Sequence, residues 1–109
     1  MRNLYNELFN CLCDHGKEIT DIVAVTLSPV DSMTHCKVPV AQFLDIARTT
    51  VYDAGYGAQE INETLTIYGD NWWITRGEYD GSEWFEWHEY PQWEYLPLIN
   101  INKSDIKVY

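Results

Sequence analysis

The spacing of hydrophobic residues at the start of the chain is that of a helix. Within residues 3–17, Leu4, Leu8 and Leu12 recur every four residues and would line one face of a helix. Gly16 follows and offers a stop, because glycine readily takes the left-handed conformation that ends many helices. The pattern therefore predicts a first helix with one buried stripe.

A second helical pattern occupies the middle of the chain. Pro39 precedes it and suits a first helical turn, where the missing backbone N–H costs no hydrogen bond. Gly55 offers a stop, so we predict a helix over residues 40–54. The hydrophobic side of this helix would consist of Val40, Phe43, Leu44, Ala47 and Val51.

Strand patterns fill the rest of the chain. Residues 18–30 are rich in β-branched side chains and predict a strand, beside which residues 33–38 can return as a partner. Further on, Asp80 and Gly81 are the strongest hairpin signal in the chain, within a predicted antiparallel meander. The strands of the meander would be residues 63–69, 71–79 and 82–90, with a short last strand around residues 98–102.

These elements predict an α+β fold. Two helices would pack on an antiparallel sheet, in the order α-β-β-α-β-β-β. A chain of 109 residues suffices for a single domain, residues 1–109, with a modest core of its own. The composition is 46% hydrophobic and 15% aromatic, which is too apolar for a disordered acidic chain. We therefore expect the chain to fold.

Both faces of the predicted hairpin hold aromatic residues. Side chains alternate between the two faces of a strand, so a turn at Asp80 and Gly81 assigns every residue to one face. We predict that one face joins the core and that the other is either a second buried layer or an exposed surface that meets a partner. Glu78 would lie opposite Glu83, a repulsive pair that Arg76 on a neighbouring rung can relieve. The core face would hold Trp72, Ile74, Phe85 and Trp87, and the partner face Trp73, Trp84, Glu86 and His88.

Negative charge is concentrated in the second half of the chain. The formal net charge is −10, and residues 49–102 hold ten acidic residues against a single cation, Arg76. Direct binding to nucleic acid or to an anionic membrane is disfavoured, because both require a cationic surface. We expect a basic protein as the partner, while an exposed aromatic face could equally form a homodimer.

Other global features favour a cytoplasmic protein. The chain has no apolar run of about 18 residues. Residues 1–20 lack the basic start and apolar block of a signal peptide. The three cysteines are an odd number, which argues against a secreted disulfide framework, so we expect free thiols.

Acidic side chains along a strand approach the charge density of a nucleic-acid backbone. Alternate residues of a strand lie about 6.8 Å apart. Such a surface could occupy a protein cleft built for DNA or RNA, with tryptophans beside it as desolvated anchors. Reversing Glu83 and Glu86 to lysine is then expected to abolish binding and to leave thermal unfolding nearly unchanged. The predicted partner-binding residues are Glu78, Asp80, Glu83, Glu86, Glu89, Trp73 and Trp84.

A resemblance points the same way. Residues 69–87, GDNWWITRGEYDGSEWFEW, resemble a pattern found in small proteins of bacterial phages and prophages. In size and charge the chain is also similar to anti-CRISPR proteins, many of which are small acidic mimics of nucleic acid. The resemblance implies a CRISPR effector such as Cas9 as the partner, since its PAM-reading cleft is lined with arginines. It also implies the cytoplasm of an infected or lysogenic bacterium as the location.

The chain also holds five potential zinc ligands. Residues two apart on a helix point to different sides, which disfavours a shared metal, so we expect no metal and no cofactor. Catalysis by acids on a strand is disfavoured as well, because such acids are usually a solvated face, and we expect no enzyme. The potential ligands are Cys11, Cys13, His15, His35 and Cys36.

Two other kinds of binding protein fit parts of the pattern. Coplanar tryptophans with nearby carboxylates describe a carbohydrate-binding platform, although sugar recognition does not require a net charge of −10. An immunity protein that neutralises a toxin is closer in physics, because acidic surfaces neutralise basic nucleases. The residues alone do not separate an immunity protein from an anti-CRISPR protein.

Overall fold

The computed structural model of the protein describes residues 1–30, 34–53, 59–89, 98–100 and 102–107. It confirms the α+β class. The elements in chain order are β1 (Arg2–Asn3), α1 (Leu4–Asp14), a 3₁₀ helix (Ile19–Asp21), β2 (Ala24–Leu27), β3 (Cys36–Val38), α2 (Val40–Arg48), β4 (Val51–Tyr52), β5 (Thr66–Tyr68), β6 (Trp72–Tyr79), β7 (Ser82–Glu89) and α3 (Lys103–Ile106).

Within the described ranges, the main sheet has five antiparallel strands in the order β3-β2-β5-β6-β7. Both long helices pack on it, α1 against β7 and α2 against β2, and they contact each other. One face of the sheet is therefore covered and the core lies between the two layers. Among the described residues, the buried hydrophobic core consists of Leu4, Leu8, Leu12, Ile22, Val25, Phe43, Leu44, Ala47, Tyr52, Leu65, Ile67, Trp72 and Ile74.

Helix α1 follows its predicted pattern. All three leucines of the stripe are buried. The side chain of Asn3 caps the first turn by accepting the backbone N–H of Asn6 at 2.9 Å. At the other end Gly16 has a φ of +70°, and the N–H groups of Gly16 and Lys17 return to the carbonyls of Cys13 and Leu12. Gly16 is thus the stop that the sequence predicted.

Helix α2 is shorter than predicted. It ends at Arg48, whereas the sequence pattern extended it to residue 54. The hydroxyl groups of Thr49 and Thr50 both bond the carbonyl of Ile46, which satisfies the helix end locally. Val51 then belongs to β4 and is exposed, so its predicted place on the buried side of the helix is wrong.

The cause of this early end is a pairing that the sequence does not show. Strand β4 pairs antiparallel with β1 at the very start of the chain, with Arg2 opposite Tyr52 and Asn3 opposite Val51. The backbone N–H of Leu4 also bonds the carbonyl of Thr50 at 2.9 Å. The two-stranded sheet thereby joins the starts of α1 and β4, so tertiary pairing prevails over local helix propensity.

The predicted strands form with shorter bounds. The first of them, residues 18–30, begins as a 3₁₀ helix, in which the Asp21 carboxylate accepts the N–H of Glu18 at 2.8 Å. Strand β2 follows, and β3 returns beside it as predicted. Residues 98–100 have no regular structure, and a helix at Lys103–Ile106 stands where no element was predicted. The remainder of the last predicted strand includes residue 101, which lies outside the described residues.

Candidate functional site

The hairpin of β6 and β7 has the register that the sequence predicted. Asp80 and Gly81 have φ angles of 52° and 85°, so both central residues of the turn are left-handed, as a two-residue turn of type I′ requires. Tyr79 lies opposite Ser82, and pairing continues without a bulge to Trp72 opposite Glu89. The Glu78 carboxylate braces the turn by accepting the N–H of Gly81 at 2.9 Å.

The predicted core face of the hairpin is buried. Trp72 and Ile74 are 2% and 0% exposed. Trp87 lies between two other rings, with centroid distances of 4.1 Å to His15, the C-cap residue of α1, and 4.9 Å to Trp72. Both faces of the Trp87 indole are therefore covered, which fixes the end of α1 against β7.

Arg76 and Glu83 form a buried ion pair on this same face. The side chains of both are 0% exposed, and Nη2 of Arg76 donates to Oε1 of Glu83 at 2.9 Å. Glu83 also accepts two backbone N–H groups, from Glu60 at 2.7 Å and from Ile61 at 3.1 Å. The Arg76 guanidinium lies 4.4 Å from the centre of the Phe85 ring. Glu83 thus ties the loop before β5 to the hairpin.

This placement corrects the prediction for Glu83. The sequence pattern predicts that this carboxylate presents charge to a partner and that its reversal to lysine spares folding. The structure instead surrounds the carboxylate with a guanidinium and two amide donors inside the protein. The predicted relief of the Glu78 and Glu83 pair by Arg76 is present, because Arg76 neutralises Glu83 directly.

Glu7 and Tyr52 complete the buried network. Arg76 Nη1 donates to Glu7 at 3.0 Å and Nη2 donates to the Tyr52 hydroxyl at 3.0 Å, while that hydroxyl donates to the second Glu7 oxygen. Arg2 approaches the same carboxylate at 3.7 Å. Three distant parts of the chain therefore meet at one guanidinium.

The network shifts two pKa values. Burial alone lowers the pKa of Arg76, but the hydrogen bond with Tyr52 and the charge of Glu7 outweigh this and raise that pKa. Burial, together with the hydrogen bond to Glu7, raises the pKa of the Tyr52 hydroxyl above its ordinary value. The arginine therefore stays charged and the tyrosine stays neutral at physiological pH.

The opposite face of the hairpin holds a half-buried aromatic cluster, which we call the outer face: Trp73, Thr75, Trp84, Glu86 and His88. His88 stacks on Trp73 with ring centroids 5.0 Å apart and contacts the Thr75 hydroxyl at 2.8 Å. The Trp84 indole donates to Glu86 at 3.2 Å. Both of these side chains lie over Gly77, where an added Cβ would overlap them. The missing side chain at Gly77 thus allows this pair to lie flat on the sheet.

Three carboxylates of the hairpin are held by local hydrogen bonds. Glu78 accepts from the turn and Glu86 from an indole, and Glu89 accepts the Trp87 indole N–H at 3.0 Å. Glu78 and Glu89 are exposed and Glu86 is half-buried, while Asp80 is exposed at the turn. Of the predicted site residues, Trp73, Trp84 and Glu86 lie on the outer face and Asp80 lies at the turn, whereas Glu78 and Glu89 lie on the same face as Glu83, at its two exposed ends.

A cavity of about 550 Å³ lies between α1 and β7. We call it the α1–β7 groove. Its helical side is polar and its sheet side is aromatic, with Trp84, Phe85 and Trp87. The sequence pattern indicates neither this groove nor the buried network next to it, because Glu7 lies 69 residues from Arg76 and no local pattern links them. The helical side and the preceding residues contribute Met1, Arg2, Asn3, Asn6, Glu7, Asn10, Cys11, Asp14 and His15.

The five potential zinc ligands are spread over two places. His15 bonds the Cys11 carbonyl and stacks on Trp87, while His35 lies between the hydroxyls of Ser28 and Thr26. The three cysteines are free thiols. Burial raises the pKa of the Cys11 thiol, and the negative charges of Asp14 and Glu7 raise it further. Within the described ranges, no three His, Cys, Asp or Glu side chains are grouped so as to hold a metal ion.

In the part of the chain that the structure describes, every helix is too short or too polar to cross a membrane. A comparison with protein-family models finds no match, and comparisons with curated proteins and with solved structures also find none.

Proposed function

We propose that this protein is an acidic inhibitor that binds a basic nucleic-acid-handling protein and blocks its nucleic-acid site. The observation that supports this most is the position of Arg76. It is the only cation of residues 49–102, and it is fully buried between Glu83 and Glu7. In that half of the chain, carboxylates therefore reach the surface, whereas no lysine or arginine side chain does.

The placement of those carboxylates suits a mimic of a nucleic-acid backbone. Glu78 and Glu89 are exposed at opposite ends of the hairpin and Glu86 lies between them on the outer face, so negative charge extends along the whole hairpin, as it does along a nucleic-acid backbone. Each is held through one oxygen by an N–H group of the hairpin. Fixed carboxylates lose less conformational freedom on binding than mobile ones, which favours affinity.

Aromatic side chains beside the acids add contacts that salt does not screen. Trp84 and Trp73 are half-buried on the outer face, and Tyr79 at the end of β6 is 77% exposed. Tryptophan and tyrosine are common anchors of protein interfaces. The outer face thus combines charge for steering with an apolar centre for affinity.

The resemblance of residues 69–87 to phage proteins favours a CRISPR effector such as Cas9 as the partner. An immunity protein would use the same surface against a basic toxin nuclease. A sugar platform fits less well, because Trp72 is buried, both faces of Trp87 are covered and His88 stacks on Trp73.

The test is competition with DNA. A Cas9–guide RNA complex, a non-specific nuclease and lysozyme, which is basic but handles no nucleic acid, would each be titrated with the protein in the presence of labelled duplex DNA. We expect displacement of DNA from one of the nucleic-acid proteins and no specific binding to lysozyme. Affinity should fall at least about tenfold between about 50 and 200 mM salt, since the interface is strongly charged.

A matched pair of charge reversals separates the outer face from bulk charge. Glu86→Lys changes the outer face, whereas Glu63→Lys makes the same change at an exposed acid outside the hairpin. We expect Glu86→Lys to weaken binding at least about tenfold and Glu63→Lys to weaken it less than about threefold. Equal losses, or equal binding to lysozyme, would contradict mimicry and leave only general attraction between opposite charges.

A further inference from the structure

The α1–β7 groove runs along an edge of the main sheet. Strand β7 stands at the end of the order β3-β2-β5-β6-β7, so in the described structure only β6 pairs with it. Helix α1 forms the other wall. A cleft between an edge strand and a helix is the arrangement in which several protein modules take up an extended peptide as an extra strand.

The register shows which backbone groups of β7 are directed away from β6. In a hairpin with a two-residue turn, the residues next to the turn exchange both hydrogen bonds, and the bonded pairs then alternate. The pair Tyr79 and Ser82 is therefore bonded, and the pair Glu78 and Glu83 is not. The N–H and C=O groups that point to the free edge belong to Glu83, Phe85, Trp87 and Glu89. They span about 20 Å, enough for a peptide of about seven residues.

The charges around the groove indicate what kind of strand it accepts. Asp14 lies in its helical wall, and Glu86 and Glu89 lie on β7 itself, while Glu7 in the same wall is already paired with Arg76. Among the described residues that line the groove, Arg2 is the only lysine or arginine, and it already faces Glu7. A second copy of β7 would bring like charges together, whereas an extended segment with alternating lysine or arginine side chains would meet opposite charges.

We propose that the α1–β7 groove binds an extended basic segment of the partner as a sixth strand beside β7. This inference rests on the proposed function, because it specifies how the same basic partner is held. Backbone hydrogen bonds to the edge of β7 supply affinity, and the carboxylates select lysine and arginine. The amide side chains of Asn6 and Asn10 on the exposed side of α1 face the same groove and can bond the peptide.

The first test uses a synthetic peptide of about nine residues with alternating lysine and valine. Its binding would be followed by NMR of the backbone amides. We expect the largest changes at the amides of Phe85 and Trp87, and no binding of the analogue in which glutamate replaces lysine. Changes confined to β3, the other edge strand, or no changes at all, would overturn the proposal. Concentration-dependent dimerisation through β7 without peptide would overturn it in favour of a second copy.

Two isomeric peptides test strand pairing itself. One is N-methylated at every lysine and the other at every valine. A strand added to an edge uses the N–H groups of only one set, so one isomer should bind within about threefold of the parent and the other at least about tenfold more weakly. Equal affinities for the two isomers would overturn pairing with β7.

A pair of variants places the peptide in the groove. Asn10→Lys adds a positive charge to the groove, and Gln42→Lys makes the same change on the exposed side of α2. We expect the first to weaken binding of the lysine–valine peptide at least about tenfold and the second less than about threefold. Equal effects would overturn the assignment of the peptide to the groove.

These results separate this inference from the proposed function. If the peptide fails to bind while the protein still displaces DNA from its partner, the groove proposal is wrong and the inhibitor proposal stands. If the peptide binds in the groove while no nucleic-acid protein is inhibited, the groove is a site for basic peptides and the proposed function is wrong.

Discussion

The two faces of one hairpin treat their acids in opposite ways. On the core face Glu83 meets a guanidinium and two backbone N–H groups and is fully buried. On the outer face, three positions along the same strand, Glu86 accepts one indole N–H and keeps contact with solvent. The strand face and the donors around a carboxylate, and not its residue type, therefore decide whether it stabilises the fold or is available to a partner.

Removing the buried cation should lower the stability of the protein most. Arg76→Met leaves the Glu83 and Glu7 carboxylates in the interior without their common partner. We expect a loss of about 3–5 kcal/mol in the free energy of unfolding, measured by urea denaturation. The control is Arg48→Met, which breaks an exposed ion pair with Asp45 and should cost less than about 1 kcal/mol. Similar losses for the two variants would mean that the buried network contributes little.

The second prediction compares the two acids directly. Glu83→Gln keeps the shape, but an amide has one acceptor oxygen where three donors converge, so its NH₂ group faces a backbone N–H. We expect a loss of about 3 kcal/mol in the free energy of unfolding. Glu86→Gln has one indole donor to satisfy and should cost less than about 0.5 kcal/mol. A Glu83→Gln variant as stable as the natural protein would mean that the buried carboxylate contributes little to the stability of the fold.

Much of the fold could be predicted because its signals are local. The leucine stripe of α1, the stop at Gly16 and the turn at Asp80 and Gly81 all depend on residues within a few positions of one another. The end of α2 could not be predicted, because it depends on pairing of Val51 with Asn3, about half the chain away. Alternation also assigned the hairpin faces correctly, since register follows from the turn.

The candidate site was predictable only in part. Alternation placed Glu83 on the core face, yet its negative charge suggested the surface. The partners that make its burial possible are Arg76, which lies nearby, and the backbone of Glu60 and Ile61, which lies in a loop without a sequence signal. Glu7 and Tyr52 were missed for the same reason, because contacts between distant residues leave no periodic pattern in one sequence.

The third prediction concerns Tyr52, which joins the network to β4. Its folded-state pKa is raised above the value of about 10 in the unfolded chain. The resulting stabilisation is complete below about pH 10 and is lost as the pH rises through the folded-state pKa. Tyr52→Phe should cost about 2 kcal/mol at neutral pH, and its deficit relative to the natural protein should shrink above about pH 10.

Urea denaturation at a series of pH values would measure this deficit. Tyr79→Phe is the control, because Tyr79 is 77% exposed and its loss should change stability little at any pH. If the stability deficit of Tyr52→Phe stays constant from neutral to strongly alkaline pH, then burial and Glu7 do not raise the pKa of the Tyr52 hydroxyl.

The last prediction compares two glycines: Gly69, which lies against Trp72 of the core face, and Gly77, which lies under the outer face. A Cβ at Gly69 would overlap the ring of Trp72, which is 2% exposed and cannot move without disturbing the core. A Cβ at Gly77 would overlap Glu86 and Trp84, which can swing towards solvent. We expect Gly69→Ala to lower the free energy of unfolding by about 1 kcal/mol more than Gly77→Ala.

Gly77→Ala should instead shift the Trp84 fluorescence and weaken partner binding, because it displaces two residues of the outer face while leaving every charge in place. Equal losses of stability, with no change in fluorescence, would mean that the outer face is packed as firmly as the core and is not a surface that adapts to a partner.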